Sequence, residues 1–253
     1  TRAELDICDE TSIAAAIEEH RPWAILNAAG FVRVADAERE REACLAANAL
    51  GPEKLARACS AAGIKLVAFS SDLVFDGRLG RPYLEDDPVS PTGVYGLSKA
   101  EMERRVLGAM PEALVVRTSA FFGPWDRYNF AWNVLCALAR GETVRACDRT
   151  EVSPTYVPDL CHAALDLLID DAKGIAHLGN SGRVSWYEFA RRVAEGAGYD
   201  PALVEPEPGP ERLSTVLASE RGELLRPFQS ALCEFLDAVR GEVPGSEMTI
   251  AAE

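Results

Sequence analysis

The sequence has no CxxC pair, only three histidines and four lysines, and no long uninterrupted apolar run. His20, His162 and His177 fall at no metal-ligand spacing, so no structural metal is expected. The seven cysteines (Cys8, Cys44, Cys59, Cys136, Cys147, Cys161 and Cys233) are odd in number and scattered. That argues against a disulfide framework and for free, mostly buried thiols in a reducing compartment. No apolar stretch is long enough to cross a bilayer, and no basic stretch leads into an apolar core at the N-terminus. Neither a membrane anchor nor a signal peptide is expected, and the expected location is cytoplasmic. Positive charge is scarce: 26 Lys+Arg stand against 40 Asp+Glu, a net charge of −14. An acidic chain with no basic stripe is a poor partner for nucleic acid.

What is present is the material of a globular protein. The 253 residues are 48% hydrophobic and 26% charged, enough for one large or two unequal domains. Short apolar runs at 22–30, 64–72, 112–120 and 174–180 read as strands. Helical patterns occupy 35–63, 94–108, 129–141, 157–171, 185–197 and 227–240, with Gly51-Pro52 expected to interrupt the first. The alternation predicts an α/β fold, a doubly wound parallel sheet of Rossmann type covered on both faces. The expected division is a dinucleotide-binding domain over 1–141 and 156–180 and a small substrate lobe over 142–155 and 181–240. A disordered tail is expected over 241–253.

Open parallel sheets bind ligands at the carboxyl ends of their strands. "LNAAG" (26–30) ends one strand in residues small enough for a ligand to approach the backbone. "FSSD" (69–72) ends the next, with Ser70, Ser71 and Asp72 at the same edge. "GVYGLSKAE" (93–101) then opens a helix with Tyr95 and Lys99 four positions apart, on one helix face. This set suits carbonyl reduction. Hydride arriving at carbon builds negative charge on oxygen, which a tyrosine can protonate. A lysine one turn away brings the phenol's pKa toward neutrality, and a serine holds the oxygen. Chance alone would yield roughly 0.1 Tyr-x-x-x-Lys motifs from six tyrosines and four lysines, so position and order carry the weight. A solvated helical pair and a strand-end serine cap are the bland alternatives.

The residues "LDICD" (5–9), "LNAAG" (26–30), "SSDLVFDG" (70–77), "PYLEDDPVSPTGVYGLSK" (82–99), "VVRTSAFFG" (115–123), "SPTYVPDL" (153–160) and "SWYEFA" (185–190) resemble the extended short-chain dehydrogenase/reductases. More narrowly they are similar to the dTDP-4-dehydrorhamnose reductases. The resemblance implies NADPH or NADH as cofactor and reduction of the 4-keto group of a nucleotide-sugar, by a monomer or homodimer. It makes Ser71, Tyr95 and Lys99 catalytic, with Tyr95 the general acid. Asp6, Ile7, Ala29, Gly30, Phe31, Val32 and Phe69 would contact the cofactor together with Tyr95 and Lys99. Ser71, Asp72, Tyr95 and Ala120 would face substrate. A turn-forming role for Asp6 weighs evenly with the cofactor role. Asn48 matches an asparagine of the proton relay in related enzymes, but equally suits a kink beside Gly51-Pro52, and stays outside the catalytic set.

The chain departs from the pattern as well. The family's glycine-rich phosphate-binding turn is not in this sequence; aligned on "LDICD", it is expected upstream of Thr1, with the first two strands. Leu73 and Ala120 stand where the reductases have tyrosine and tryptophan, and "VADAE" (34–38) replaces V-D-x-A-E. Two other functions fit the same resemblance. One is a non-catalytic sugar-nucleotide-binding module like the methionine adenosyltransferase regulatory subunit; the other is a nucleotide-sugar epimerase or dehydratase.

Overall fold

The structure, a computed structural model, describes residues 4–243. The chain divides into two compact units. The first comprises the residues up to Asp76, Glu85–Arg117 and Ala164–His177. The second comprises Gly77–Leu84, Thr118–Ala163 and the residues from Leu178 on.

Four strands form the sheet of the first unit: β1 (Ala24–Asn27), β2 (Lys65–Phe69), β3 (Leu114–Arg117) and Gly174–His177, side by side in that order. All three pairings are parallel. Leu66, Val67 and Ala68 are buried in succession, as are Leu114, Val115 and Val116. Such consecutive burial is what a strand with both faces covered requires, and it explains why these strands read as unbroken apolar runs. Helices α1 (Glu10–His20), α3 (Gly51–Ala62) and α4 (Val94–Ala109) pack on the sheet. Ile13, Leu55, Ala56, Cys59, Met102 and Val106 form one core with Leu66, Ala68 and Val115. Each large side chain so buried is worth about 1.5–3 kcal/mol. Helix α1 is not among the helices expected from the apolar pattern; Asp9 caps it, accepting from Thr11 N at 2.9 Å.

The stretch expected as one helix over 35–63 is built differently. A 3-10 turn (Val34–Asp36) and the short α2 (Arg41–Leu45) lead into a π-helical turn, Ala46–Leu50, before α3 begins at Gly51. The irregularity thus falls one turn before Gly51-Pro52. Pro52 sits in the first turn of α3, directly after the π-turn, whose wider spacing accommodates a residue without an N–H. The wider π-turn absorbs the bend and leaves Asn48 only 1% exposed.

In the second unit Phe122 lies 5.3–5.8 Å, ring to ring, from Tyr156, Phe189, Phe228 and Phe235. Two-stranded and three-stranded sheets of short strands surround this aromatic core. Helix Trp186–Ala197 starts on a capping box between Ser185 and Glu188. The helix Phe130–Ala139, assigned from sequence to the first domain, packs into this core. The second unit therefore takes in more of the chain than the small lobe expected. Residues 244–253 of the expected tail lie outside the described residues, while Val243 is buried against the core, so order extends past 241.

All seven cysteines are free, but only Cys44 and Cys59 are buried; Cys161 and Cys233 are exposed, against the expectation of mostly buried thiols. Both lie on helices, where a thiol costs little at an outward position. No helix among the described residues is long and apolar enough to cross a membrane.

Candidate active site

Residues 69–72, leaving the carboxyl end of β2, point their functional groups in different directions. The Phe69 carbonyl accepts from Lys99 Nζ at 2.9 Å. Ser70 turns inward and donates to Glu103 Oε1 at 2.5 Å. Ser71 Oγ donates to Asp72 Oδ1 at 3.1 Å and accepts from Leu73 N at 3.1 Å, capping the 3-10 turn Asp72–Val74. One acceptor lone pair of Ser71 stays open, and its proton can be redirected from Asp72 to an incoming carbonyl oxygen.

Helix α4 brings Tyr95 and Lys99 to this strand end. Gly93 has no side chain to cap the helix, and Glu38 does so instead, accepting from Val94 N at 2.8 Å. A charged acceptor at a helix N-terminus is favourable, and here it fixes the turn that carries Tyr95. Gly96 allows the close approach. A Cβ at 96 would lie 2.0 Å from the Leu73 carbonyl oxygen, so the helix abuts the turn that begins at Ser71. Asp72 joins the two sides: it is bonded to Ser71, and its charge acts on Tyr95.

The electrostatics differ from the expectation. Burial first, then the neighbouring Asp72 and Cys44, push the Tyr95 phenol up to about 12. These effects outweigh the pull of Lys99 toward neutrality. Its Nζ is bonded to the Phe69 carbonyl, and its own pKa is lowered by burial to about 8, with Cys44 and Glu103 opposing. The ammonium lies 5.8 Å from the Tyr95 ring centroid. The result is a phenol that keeps its proton at neutral pH beside a lysine that titrates near it.

A cleft of about 540 Å³ lies next to β1. Asp6, Ile7, Ala29 and Gly30 line it with Asn27, Ala28, Ala47 and others. Of the remaining residues expected at the cofactor, Phe31, Phe69, Tyr95 and Lys99 are half-buried and Val32 is 73% exposed; none lines this cleft. Asp6 closes a tight turn, accepting from Cys8 N at 2.9 Å, and lines the cleft as well. The cleft suits a dinucleotide: its lining is mostly apolar, with small residues at Ala28, Ala29, Gly30 and Ala47, and carries one carboxylate, Asp6. The chain also passes close, since a Cβ at Gly30 would lie 2.7 Å from Asn48 Oδ1 and 3.9 Å from Lys99 Nζ. Ala120 belongs to the second unit, half-buried with a left-handed φ of 42°.

Asn48 is the residue that pattern reading undervalued. Its Oδ1 accepts from Phe31 N at 2.7 Å, and its Nδ2 donates to Phe31 O at 3.1 Å and Ser98 Oγ at 3.0 Å. Ser98 in turn donates to the Tyr95 carbonyl at 2.7 Å. One amide thus ties the loop after β1 to the first turns of α4. The signal was a polar residue in an otherwise apolar helical stretch.

A family model described as RmlD substrate binding domain matches residues 1–234. A dTDP-4-dehydrorhamnose reductase of Streptomyces griseus is 35% identical over 266 residues, covering 96% of this chain and 87% of that protein. The Mycobacterium tuberculosis (strain H37Rv) protein of that name is 38% identical over 256 residues, covering 94% and 83%. Among solved structures, the dTDP-4-dehydrorhamnose reductase of Bacillus anthracis in complex with NADP superposes with a TM-score of 0.86 at 28% identity. That match covers 93% of this chain and 86% of the other.

Proposed function

This chain belongs to the RmlD substrate binding domain family, and we propose on that footing that it reduces the 4-keto group of a dTDP-linked deoxysugar at the expense of NADPH or NADH. Asp6, Ile7, Ala29 and Gly30 hold the dinucleotide in the cleft beside β1. When bound, the dinucleotide supplies hydride. The protein's own residues manage the oxygen. Ser71 turns its hydroxyl from Asp72 to the substrate carbonyl, and Tyr95, still protonated at neutral pH, donates its proton as negative charge develops there. Lys99, anchored on the Phe69 carbonyl, keeps a positive charge one turn from the phenol and offsets the phenolate left behind.

One observation carries this reading: Asp72 is bonded to Ser71 and acts on Tyr95, while Gly96 lets α4 abut the same turn. The test is to supply [4-²H]NADPH, of either face, with a dTDP-4-keto-6-deoxysugar and analyse the product. Oxidation of the dinucleotide is expected with both labelled forms, with deuterium at sugar C4 from one of them only. Tight sugar-nucleotide binding without turnover would favour a binding module instead. Label-free isomerisation would favour an epimerase.

A further inference from the structure

Behind the site lies a buried polar cluster for which the reading above has no role. Ser70, Glu103, Arg117, Glu85 and His177 are each no more than 9% exposed. Arg117, the last residue of β3, grips Glu103 through Nε–Oε1 and Nη2–Oε2, both at 2.8 Å. Its Nη1 donates to the Glu85 carbonyl at 3.0 Å and lies 3.3 Å from His177 Nε2, at the end of the neighbouring strand. Phe75 lies under the guanidinium, 4.9 Å from its carbon.

We propose that Ser70, Glu103 and Arg117 are the positioning unit of this site, locking α4 onto the end of β2 and keeping Lys99 in its ammonium form through the Glu103 carboxylate. Three observations lead there. Tyr95, Lys99 and Glu103 recur every four residues on α4, so they share one stripe of the helix. Consecutive residues of β2's end are stitched to that stripe: Phe69 O to Lys99, then Ser70 Oγ to Glu103. Ser71 follows directly, so any slip of this seam displaces the hydroxyl relative to the phenol. Finally, a buried ion pair is a costly way to hold a fold together, because apolar side chains of the same volume do as well. Its retention beside a desolvated lysine calls for another role.

Burial pulls the Lys99 pKa down, and Cys44 of α2 and then Glu103 act against it. The other titratable groups facing the Tyr95–Lys99 pair include Asp72 on the turn after β2 and Glu38, whose carboxylate caps α4 at Val94 N. Glu53 of α3, which also packs on α4, is engaged by Arg57 and Arg105.

The activity part of the test rests on the reductase reading; the titration part does not. Full-length protein carrying ¹³C-labelled lysine, with Lys99 assigned through Lys99→Met, is titrated by NMR. In Glu103→Gln the Lys99 midpoint should fall by about half a pH unit or more, and the alkaline limb of kcat should fall with it. Ser70→Ala leaves every charge in place, so it should lower kcat about tenfold with the midpoint unmoved. The neutral pair Glu103→Gln/Arg117→Gln should recover the melting temperature lost in the single variant while its midpoint stays low. It also carries the titration if Glu103→Gln does not fold. A wild-type midpoint in Glu103→Gln or in the neutral pair overturns the electrostatic half. Unchanged kcat in Ser70→Ala overturns the positioning half. If even the wild type fails to reduce the sugar, the reductase reading falls and the Lys99 midpoints still decide the electrostatic half. In that case unchanged affinity of Ser70→Ala for NADPH overturns the positioning half.

Discussion

Gly96 stands so near the turn after Ser71 that a Cβ on it would lie 2.0 Å from the Leu73 carbonyl oxygen. Neither partner can yield cheaply, since one is helix backbone and the other the carbonyl of the 3-10 turn. Gly96→Ala should therefore cost about 3 kcal/mol of stability, at the upper end for overpacking. It should lower turnover more than tenfold by parting Tyr95 from Ser71. Urea denaturation and an NADPH-oxidation assay check both. Wild-type stability with wild-type turnover would mean that the close approach is not needed.

Activity should decline as pH rises through about 8, where buried Lys99 gives up its proton, whereas the Tyr95 phenol stays protonated up to about 12. The lysine pKa is lowered, so the ammonium form prevails below that value and is lost above it. Lys99→Arg, if it folds, should weaken turnover at neutral pH and abolish this limb, because a guanidinium does not titrate there. A pH–rate profile of both proteins decides the matter.

Asn48→Ala removes the amide that satisfies Phe31 N, Phe31 O and Ser98 Oγ. Leaving buried polar groups unpaired costs about 1–3 kcal/mol. Because the loop it holds leads directly from the Ala29–Gly30 wall of the cleft, NADPH affinity should fall several-fold as well. Titration calorimetry alongside thermal melting measures the two effects.

Ala120 holds a φ of 42°, where a side chain is strained and glycine is not. Ala120→Gly should change stability by no more than about 1 kcal/mol, with strain relief and unfolded-state entropy opposing each other. Ala120→Trp, which installs the ring that the family resemblance implies there, should change KM for the sugar more than KM for NADPH. Equal changes in both would remove Ala120 from the substrate side.

Much of this was legible in the sequence because it is written in short-range pattern. Unbroken apolar runs marked β2 and β3, and the four-residue spacing placed Tyr95 and Lys99 on one face of α4. The rest depends on tertiary partners. The π-turn at Ala46–Leu50 has no periodic signature of its own, so the bend was placed at the visible Gly51-Pro52. Strands as short as Phe121–Phe122 and Thr155–Tyr156 exist only by pairing with each other. Glu103 and Arg117 looked like ordinary charges until folding buried them against Ser70. The reversal at Tyr95 has the same origin: spacing alone implied a phenol tuned by its lysine, but burial and Asp72 outweigh it.

Tyr95→Phe tests the central claim most directly, because it deletes one oxygen and leaves the ring's packing in place. Single-turnover oxidation of NADPH by the keto-sugar should slow by a factor of about 10²–10⁴, with the dissociation constant for NADPH within about threefold of wild type. A variant that reduces the sugar at the wild-type rate would contradict Tyr95 as the proton donor.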